Sequence, residues 1–435
     1  MLGALLSRSL AVGLIRAFGM ALAAILTVLV ARMLGPEGLG TYTFAIVVIS
    51  IGLIPVGNGW GLLTLRATSA AVKSADWSGV RGMMNRCVIY AALCSIAIFS
   101  AGLIFGLSST AGRGIIGFVA AIVFFDQMSA VRSHYLRGLD HPALALLPES
   151  LLRPAVVIAF IVLFWWFLNG EMTVLHALTS LFAGALMAFL FGVFLAKRVA
   201  TVSFASMSAR GDDRAWLASA GVMALSSGLS VINAYIDILA LGALASLEEV
   251  GIYRVAAQTA IVGGFGYAAL NLVAAQQFAH FRSENDMENV QKIATLLCLL
   301  ALTASLLLPS VLMLGGPALL GFVFGSAFES AYRPTLVLAL GQIVCASCGM
   351  CNVLLLMNNL EKLAAKLAAV FLILNIILCV ALIPHFGILG AAWANVIATG
   401  SWNIVTVIFA RRRLQINASV SALLPEKFLI KLKAH

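Results

Sequence analysis

The residues of this sequence that could most clearly take part in binding or ion coupling are ionisable side chains inside long apolar segments. They comprise three carboxylates and three arginines: Asp126, Glu149, Asp237, Arg16, Arg153 and Arg254. A charged group is costly in hydrocarbon and normally faces a protein partner or a water-filled cavity. The set therefore predicts either structural ion pairs or a polar cavity that binds an ionic ligand.

Arg16 and Arg153 lie at different depths. Arg16 lies about 9 Å, roughly six residues, into the first apolar segment. Its side chain can therefore either extend to the nearer surface or project into a cavity. Arg153 lies near the middle of its segment, and Glu149 precedes it by four residues on the same helical face. The sequence is compatible with either a Glu149–Arg153 ion pair or an Arg153 side chain that faces a cavity.

The other two carboxylates also allow alternatives. Asp126 has no opposite charge nearby in sequence, so it is protonated, paired with Arg153 of the next helix, or part of ion coupling. Asp237 and Arg254 are expected at similar depth on antiparallel neighbouring helices, which favours a direct pair; contact with a ligand is the alternative.

In-span asparagines complete the candidate set, although hydrogen bonding between helices is their commoner role. Our candidate substrate-binding residues are Arg16, Arg153, Arg254, Asn58 and Asn271. Our candidates for ion coupling or ion pairing are Asp126, Glu149 and Asp237. If transport is ion-coupled, Na+ or H+ is the expected ion, and no other cofactor is predicted.

Catalytic and metal-binding patterns are not evident in the sequence. The six histidines are scattered, and Cys345, Cys348 and Cys351 would spread around a helix. No nucleophile–base arrangement or glycine-rich nucleotide loop appears. We therefore predict that the protein is not an enzyme and has neither a catalytic nor a metal site.

The composition indicates a polytopic membrane protein. Hydrophobic residues make up 62% of the chain and charged residues only 10%, against about 25% charged in soluble domains. Apolar runs of about 20 residues, long enough to cross a bilayer as a helix, recur along the whole length. We expect an all-α fold in a bacterial plasma (inner) membrane.

Twelve membrane spans are predicted. They lie near residues 10–31, 40–63, 87–108, 114–135, 143–167, 174–196, 216–242, 251–275, 292–314, 334–357, 363–383 and 388–410. Three of these spans contain prolines that are expected to disturb the helices there: Pro55, Pro148, Pro154 and Pro309.

The basic residues predict the orientation. With a cytoplasmic N-terminus, 21 of the 27 basic residues lie in cytoplasmic segments and three lie outside. Positive charge accumulates on the cytoplasmic side of membrane proteins, so both termini are predicted to be cytoplasmic. The same asymmetry accounts for the net charge of +10 without a nucleic-acid partner.

An internal repeat predicts two lobes. The segment Glu37 to Tyr42 is echoed by Glu248 to Tyr253 at an offset of 211 positions. Six spans per half is typical of parallel repeats with a substrate path between them. We predict pseudo-symmetric six-helix lobes at 1–210 and 211–410. A basic cytoplasmic tail at 411–435 follows. Within it, Leu423 to Lys433 is either disordered or an amphipathic helix on membrane lipids.

Several short motifs together resemble a known family. They are Leu34-Gly35-Pro36-Glu37-Gly38-Leu39-Gly40-Thr41-Tyr42, Tyr235 to Gly242, Val250-Gly251-Ile252-Tyr253, Phe324-Gly325 and Ile383-Pro384 with Gly387 and Gly390. In order and spacing they are similar to bacterial polysaccharide flippases of the MATE-like MOP superfamily, over nearly the whole chain.

The resemblance implies a cationic cavity between two lobes that opens alternately to the two sides of the membrane. The implied substrate is a polyprenyl-pyrophosphate-linked oligosaccharide, moved from the inner to the outer leaflet for capsule, exopolysaccharide or O-antigen (lipopolysaccharide) assembly. A polysaccharide polymerase and co-polymerase are the implied protein partners. Basic in-span residues suit such a substrate, because a pyrophosphate in a low-dielectric cavity needs opposite charge.

Three alternatives remain from the sequence. A MATE-type cation-coupled drug antiporter would have an acidic cavity, and the three acidic and three basic in-span residues do not exclude it. A cell-wall lipid-precursor flippase usually carries additional helices beyond twelve. A membrane polymerase or glycosyltransferase normally needs a sizeable extramembrane loop, which this sequence lacks.

Overall fold

The computed structural model describes residues 2–104, 110–199, 213–283, 287–358, 360–414 and 416–423. These residues form helices and short connections, without a β-strand. The predicted amphipathic tail falls almost wholly on 424–435, outside the described residues.

Two compact units divide the chain, at Met1–Tyr235 and Ile236–His435. The first seven helices are α1 (Leu2–Gly52), α2 (Gly61–Ser74), α3 (Ser78–Ile104), α4 (Thr110–Gly138), α5 (Pro142–Leu147), α6 (Arg153–Phe167) and α7 (Val174–Val199). The unit boundary falls within α8 (Asp213–Leu244). Then follow α9 (Leu247–Gly263), α10 (Phe265–Ser283), α11 (Met287–Phe324), α12 (Tyr332–Cys348), α13 (Cys351–Met357) and α14 (Glu361–Leu414).

Three of the long helices contain a break at a glycine. Gly35 in α1, Gly316 in α11 and Gly387 in α14 have positive φ angles of 67°, 59° and 54°, a conformation that a side chain disfavours. Pro36 and Pro317 follow two of these glycines, where proline suits the first turn of the next helix segment.

The helices confirm a multi-pass membrane protein. In the described part of the chain, nine helices are long and apolar enough to cross a membrane, or ten if the bent pair α9 and α10 counts as one span. The pieces 361–386 and 388–414 of α14 each exceed the about 20 residues that one span needs. A total of twelve spans and cytoplasmic termini stay predictions.

The contact boundary at Tyr235 differs from the predicted lobe boundary at residue 210. The first part of α8 packs within the first unit. The Trp216 ring meets the edge of Trp60 at 6.5 Å, and Asp213 forms a 2.5 Å salt bridge with Arg86. These contacts associate the start of α8 with the helices that precede it.

Small residues bring helices close around the start of α6. A Cβ atom on Gly19 of α1 would lie 2.7 Å from the Ser150 carbonyl oxygen, and one on Gly184 of α7 would lie 2.5 Å from Val157. Glycine permits such close approach between membrane helices. The segment that carries Glu149 and Arg153 is thereby packed between α1 and α7.

A C-terminal segment packs back onto the second unit after α14. Ile416 and Ala418 are buried in an apolar cluster. Asn417 exchanges two hydrogen bonds with Gln291 of α11: its carbonyl oxygen accepts from Nε2 at 2.7 Å, and its amide donates to Oε1 at 2.8 Å. Residues 416–423 are thus part of the folded second unit.

Candidate functional site

Two π-helical segments position the polar residues of the first unit. Ile54–Trp60 contains Asn58, and Pro148–Leu152 contains Glu149. Pro55 and Pro148 lie in these segments, which confirms the predicted helix irregularity at both. Single-turn π segments widen a helix locally and frequently occur at functional sites.

Arg153 pairs with Asp126 across two helices. Its Nη1 atom lies 2.9 Å from Asp126 Oδ1, with 23% of the arginine side chain and 6% of the aspartate side chain exposed. The sequence left three roles open for Asp126, and the structure supports the pair with the next helix. Arg153 is the accessible partner and Asp126 the buried one.

Glu149 pairs with Arg132 of α4, with Nη2 and Oε1 2.5 Å apart. The Glu149–Arg153 pair, one of our alternatives, is therefore not the pair that forms in the described part of the chain. The arginine is 6% exposed and Glu149 is 28% exposed, so here the carboxylate is the accessible partner. Sequence reasoning missed Arg132 because it assigned this residue to the cytoplasmic end of a span, whereas α4 continues to Gly138.

Gly192 of α7 accommodates the Arg132 guanidinium. A Cβ atom on Gly192 would lie 2.2 Å from Arg132 Cζ and 2.4 Å from Nε. Two guanidinium nitrogens, Nε and Nη1, are buried without a hydrogen-bond partner in the described part of the chain. The Arg132–Glu149 contact therefore depends on the space that this glycine leaves.

We expect Gly192→Ala to weaken the Arg132–Glu149 pair by displacing the guanidinium. Disturbing one partner of a buried pair costs up to about 3 kcal/mol, so the melting temperature of the purified protein should fall by several degrees. Gly117→Ala is the matched control, because it also lies in a helix and its Cβ would meet nothing within 4 Å. Equal melting temperatures for the two variants would contradict this role of Gly192.

A first cavity of about 450 Å³ opens between α1, the second π segment, α6 and α7. It is lined by Arg16, Gly19, Met20, Ala23, Leu26, Glu149, Ser150, Arg153, Pro154, Val157 and Leu181. Its charged side chains are Arg16, Glu149 and Arg153, and most of the remaining lining is apolar. The first cavity thus has arginines at one end and a largely apolar lining elsewhere.

A second cavity of about 390 Å³ shares two of these charged residues. It is lined by Leu53, Asn58, Leu62, Asp126, Ala130, Ser133, His134, Arg137, Ala145, Leu146, Glu149, Arg153 and Ser227. Glu149 and Arg153 line both cavities. The second cavity is richer in amide, hydroxyl and imidazole groups than the first.

A signal for the second cavity was present in the sequence of α4. Asp126, Ala130, Ser133 and Arg137 recur at helical spacing and so lie on one face. His134 lies beside them, and its buried Nδ1 atom has no hydrogen-bond partner among the described residues. A polar helical stripe, rather than single charges, would have identified this wall.

The charges around the two cavities leave an excess of positive charge. They comprise four arginines and two carboxylates, a formal charge of +2: Arg16, Arg132, Arg137, Arg153, Asp126 and Glu149. Arg137 lies within electrostatic range of both Arg16 and Glu149. Arg16 is exposed and lines the first cavity. Such a site can attract and orient a multivalent anion.

The second unit holds a buried carboxylate in a neutral environment. Asp237 accepts hydrogen bonds from Asn375 at 3.0 Å, Asn395 at 2.6 Å and the Tyr253 hydroxyl at 2.9 Å. The Cys379 thiol lies 4.0 Å from the same carboxylate. Sequence reasoning indicated Arg254 as the partner of Asp237. The structure gives Asp237 four neutral donors, of which Tyr253 is the residue before Arg254.

The predicted ligand residues therefore divide between the units. Arg16, Asn58 and Arg153 line the cavities of the first unit. Arg254 lies in α9 and Asn271 in α10 of the second unit, where the Asn271 amide donates to the Tyr267 carbonyl oxygen at 3.1 Å. Among the described residues, no cluster of three or more histidine, cysteine or acidic side chains is arranged to hold a metal ion.

Known structures share this fold. An inward-facing multidrug resistance MATE family transporter of the MOP superfamily superposes with a TM-score of 0.73, at 16% identity over 91% of this chain and 94% of that one. The lipid II flippase MurJ, inward closed, gives 0.71 at 14% identity over 94% of this chain and 87% of that one. A MOP superfamily transporter from Pyrococcus furiosus, for which a reverse polarity of the binding pocket suggests a different function, gives 0.64 at 16% identity over 94% and 95%. The fold is that of the MATE-like transporters of the MOP superfamily.

Sequence similarity specifies the family within this fold. The profile of the polysaccharide biosynthesis protein family matches residues 5–275. The chain belongs to this family, which confirms the predicted resemblance. It is also 29% identical over 181 residues to the probable low-salt glycan biosynthesis flippase Agl15 of Haloferax volcanii. That match covers 40% of this chain and 37% of the archaeal protein.

Proposed function

We propose that this protein is a flippase that moves a polyprenyl-pyrophosphate-linked oligosaccharide from the inner to the outer leaflet by alternating access. The observation that carries the proposal is the positive charge around the two cavities of the first unit. Family membership in polysaccharide biosynthesis and the partial match to a glycan biosynthesis flippase support the same substrate class.

The charge of the cavities suits the substrate's linkage group. A diphosphate diester carries two negative charges, which match the formal +2 of the six charged residues. At about 5 Å and an effective dielectric constant near 20, one such charge pair contributes about 3 kcal/mol. Arg16 and Arg153 are the cations that line the largely apolar first cavity, so we assign them the first contacts with the phosphates. Asn58 is placed to donate or accept hydrogen bonds from a sugar.

An export route for cationic drugs fits the site less well. A cation in these cavities is repelled by three arginines, Arg16, Arg137 and Arg153. Glu149 is the accessible carboxylate that opposes them, because Asp126 is buried. The superposition with MATE transporters does not favour a drug substrate, because at 16% identity it concerns the fold alone. The superposition with the cell-wall precursor flippase, at 14% identity, likewise concerns the fold and does not favour its substrate.

Asp237 is our candidate for cation coupling. It is a buried carboxylate, 5% exposed, surrounded by two carboxamides, a phenol and the Cys379 thiol. The oxygen and nitrogen of an asparagine amide exchange places by a simple flip. After such a flip, Asn375 and Asn395 would present oxygen atoms beside the carboxylate, which is the ligand type that a hard cation such as Na+ prefers. Protonation of Asp237 is the alternative form of coupling.

The proposed activity can be tested with the purified protein in liposomes. A fluorescent polyprenyl-pyrophosphate-linked saccharide should move between leaflets faster than in protein-free liposomes, without cleavage of the diphosphate. Reduction of the outer-leaflet fluorophore by dithionite measures this movement. Equal rates with and without protein, under every ion gradient applied, would refute the proposal. A polysaccharide polymerase and co-polymerase are the proposed partners that use the flipped product.

A further inference from the structure

The two cavities of the first unit differ in chemistry but share one charged wall. We propose that they form a two-chamber site, in which the first cavity holds the proximal part of the polyprenyl chain and the second holds the first sugar. The diphosphate then lies at Arg153, which lines both. This inference rests on the proposed function and assigns each part of the substrate a place.

The first chamber has a charged end and an apolar end. On α1, its lining begins at Arg16 and ends at Leu26, which lie about 15 Å apart along the helix. Gly19 contacts Ser150, so the end that contains Arg16 lies beside the segment that carries Glu149. Beyond this end the lining is apolar and includes Ala23, Leu26, Val157 and Leu181.

This arrangement fits a lipid whose anionic group is fixed at one end. Apolar surface alone would accept any lipid chain, whereas Arg16 and Arg153 at the charged end select a chain with an attached anion. Isoprenoid carbon buried against Ala23, Leu26 and Val157 adds affinity in proportion to the area removed from water. The occupant is therefore the polyprenyl segment next to the diphosphate.

The second chamber presents groups that bind sugars. Asn58, Ser133 and Ser227 provide amide and hydroxyl groups, which both donate and accept hydrogen bonds as sugar hydroxyls do. His134 also lines this chamber, and its buried Nδ1 atom has no partner among the described residues. A buried polar atom without a partner is costly, and a sugar hydroxyl would satisfy it.

Glu149 adds a negative charge to the wall that the two chambers share. It lines both chambers and is more exposed than its partner Arg132. A carboxylate here accepts hydrogen bonds from sugar hydroxyls but repels a misplaced phosphate. The diphosphate is therefore directed to the Arg153 side of the wall.

The test fills one chamber at a time and measures binding to the purified full-length protein. Ala23→Phe fills the first chamber, and Ala21→Phe, exposed on the same helix and outside the lining, is its control. Ser227→Leu fills the second chamber, and Ser226→Leu, exposed beside it, is its control. The probes are inorganic pyrophosphate, farnesyl pyrophosphate and farnesyl-pyrophosphate-linked N-acetylglucosamine.

The two substitutions should each weaken the binding of a different probe. Ala23→Phe should weaken farnesyl pyrophosphate binding by about tenfold, the scale of a few buried methylene groups, and leave inorganic pyrophosphate within twofold. Ser227→Leu should leave farnesyl pyrophosphate unchanged and remove the additional affinity of the sugar-linked probe. Both controls should bind all probes as the wild type does.

The outcomes separate this inference from the proposed function. If the wild type binds none of the pyrophosphate probes, the proposed function itself fails. If it binds them but Ala23→Phe does not distinguish farnesyl from inorganic pyrophosphate, the first chamber is wrong. If the sugar adds no affinity, or if Ser227→Leu does not remove that affinity, the second chamber is wrong.

Discussion

Replacing Arg153 with alanine is expected to abolish transport, because the substitution removes the accessible cation that lines both cavities. It also leaves Asp126 buried without its partner. Removal of one member of a buried pair costs about 3 to 5 kcal/mol. We therefore expect a lower melting temperature together with the loss of flipping in liposomes.

A double variant separates the two consequences. Arg153→Ala with Asp126→Asn removes the uncompensated charge, so most of the lost stability should return. Transport should not return, because the cation that contacts the phosphates is still missing. Arg153→Lys retains the charge but not the fork of donors, and should keep part of the activity. Normal transport by the double variant would remove Arg153 from the substrate site.

The second large effect is expected from Asp237→Asn. Four donors point at this carboxylate, and an asparagine would place its own NH₂ group among them. The substitution preserves volume but removes the negative charge that a coupling cation needs. We expect ion-driven transport to be lost, while binding of pyrophosphate in the first unit is retained.

Thermal unfolding with and without the ion measures this effect directly. A ligand present at a hundred times its dissociation constant stabilises a protein by about 2.7 kcal/mol. Wild-type protein should therefore melt at a higher temperature in Na+ than in a choline salt, and Asp237→Asn should show no such difference. Asp126→Asn, whose carboxylate belongs to an ion pair in the first unit, is the control and should keep the sodium effect. A sodium effect that persists in Asp237→Asn would place the cation elsewhere, and proton-driven transport by the variant would exclude Asp237 from coupling altogether.

Much of the fold could be predicted because the hydrophobic pattern and the order of the motifs extend over long stretches of the sequence. The apolar runs indicated a membrane bundle, and the Gly35-Pro36 motif indicated the family before any contact was known. The breaks at Pro55 and Pro148 were also expected, since proline removes a helical hydrogen bond. What proline did not reveal is the type of break. The π geometry at Pro148–Leu152 changes the helical register, which directs Glu149 to Arg132 instead of Arg153.

The site was less predictable because its contacts are distant in sequence. Asp126 and Arg153 are 27 residues apart, and their pair was one of several open alternatives. The partners of Asp237 on α14 are 138, 142 and 158 residues away, so no local spacing indicates them. Tyr253 and Arg254 lie at the same depth, and only the rotation of α9 about its axis decides which of them reaches the carboxylate. The position of the Arg132 guanidinium depends on the space beside Gly192, and residue spacing in the sequence does not indicate such a packing contact.

A comparison of two probe lipids in liposomes tests the central claim most directly. One probe carries a saccharide on polyprenyl pyrophosphate, and the other carries the same saccharide and polyprenyl chain through an uncharged linker. The account predicts rapid protein-dependent flipping of the first probe, slow flipping of the second, and no difference between the two in the Arg153→Ala/Asp126→Asn variant. Equal flipping of both probes by the wild-type protein would contradict recognition of the diphosphate by the cationic cavities.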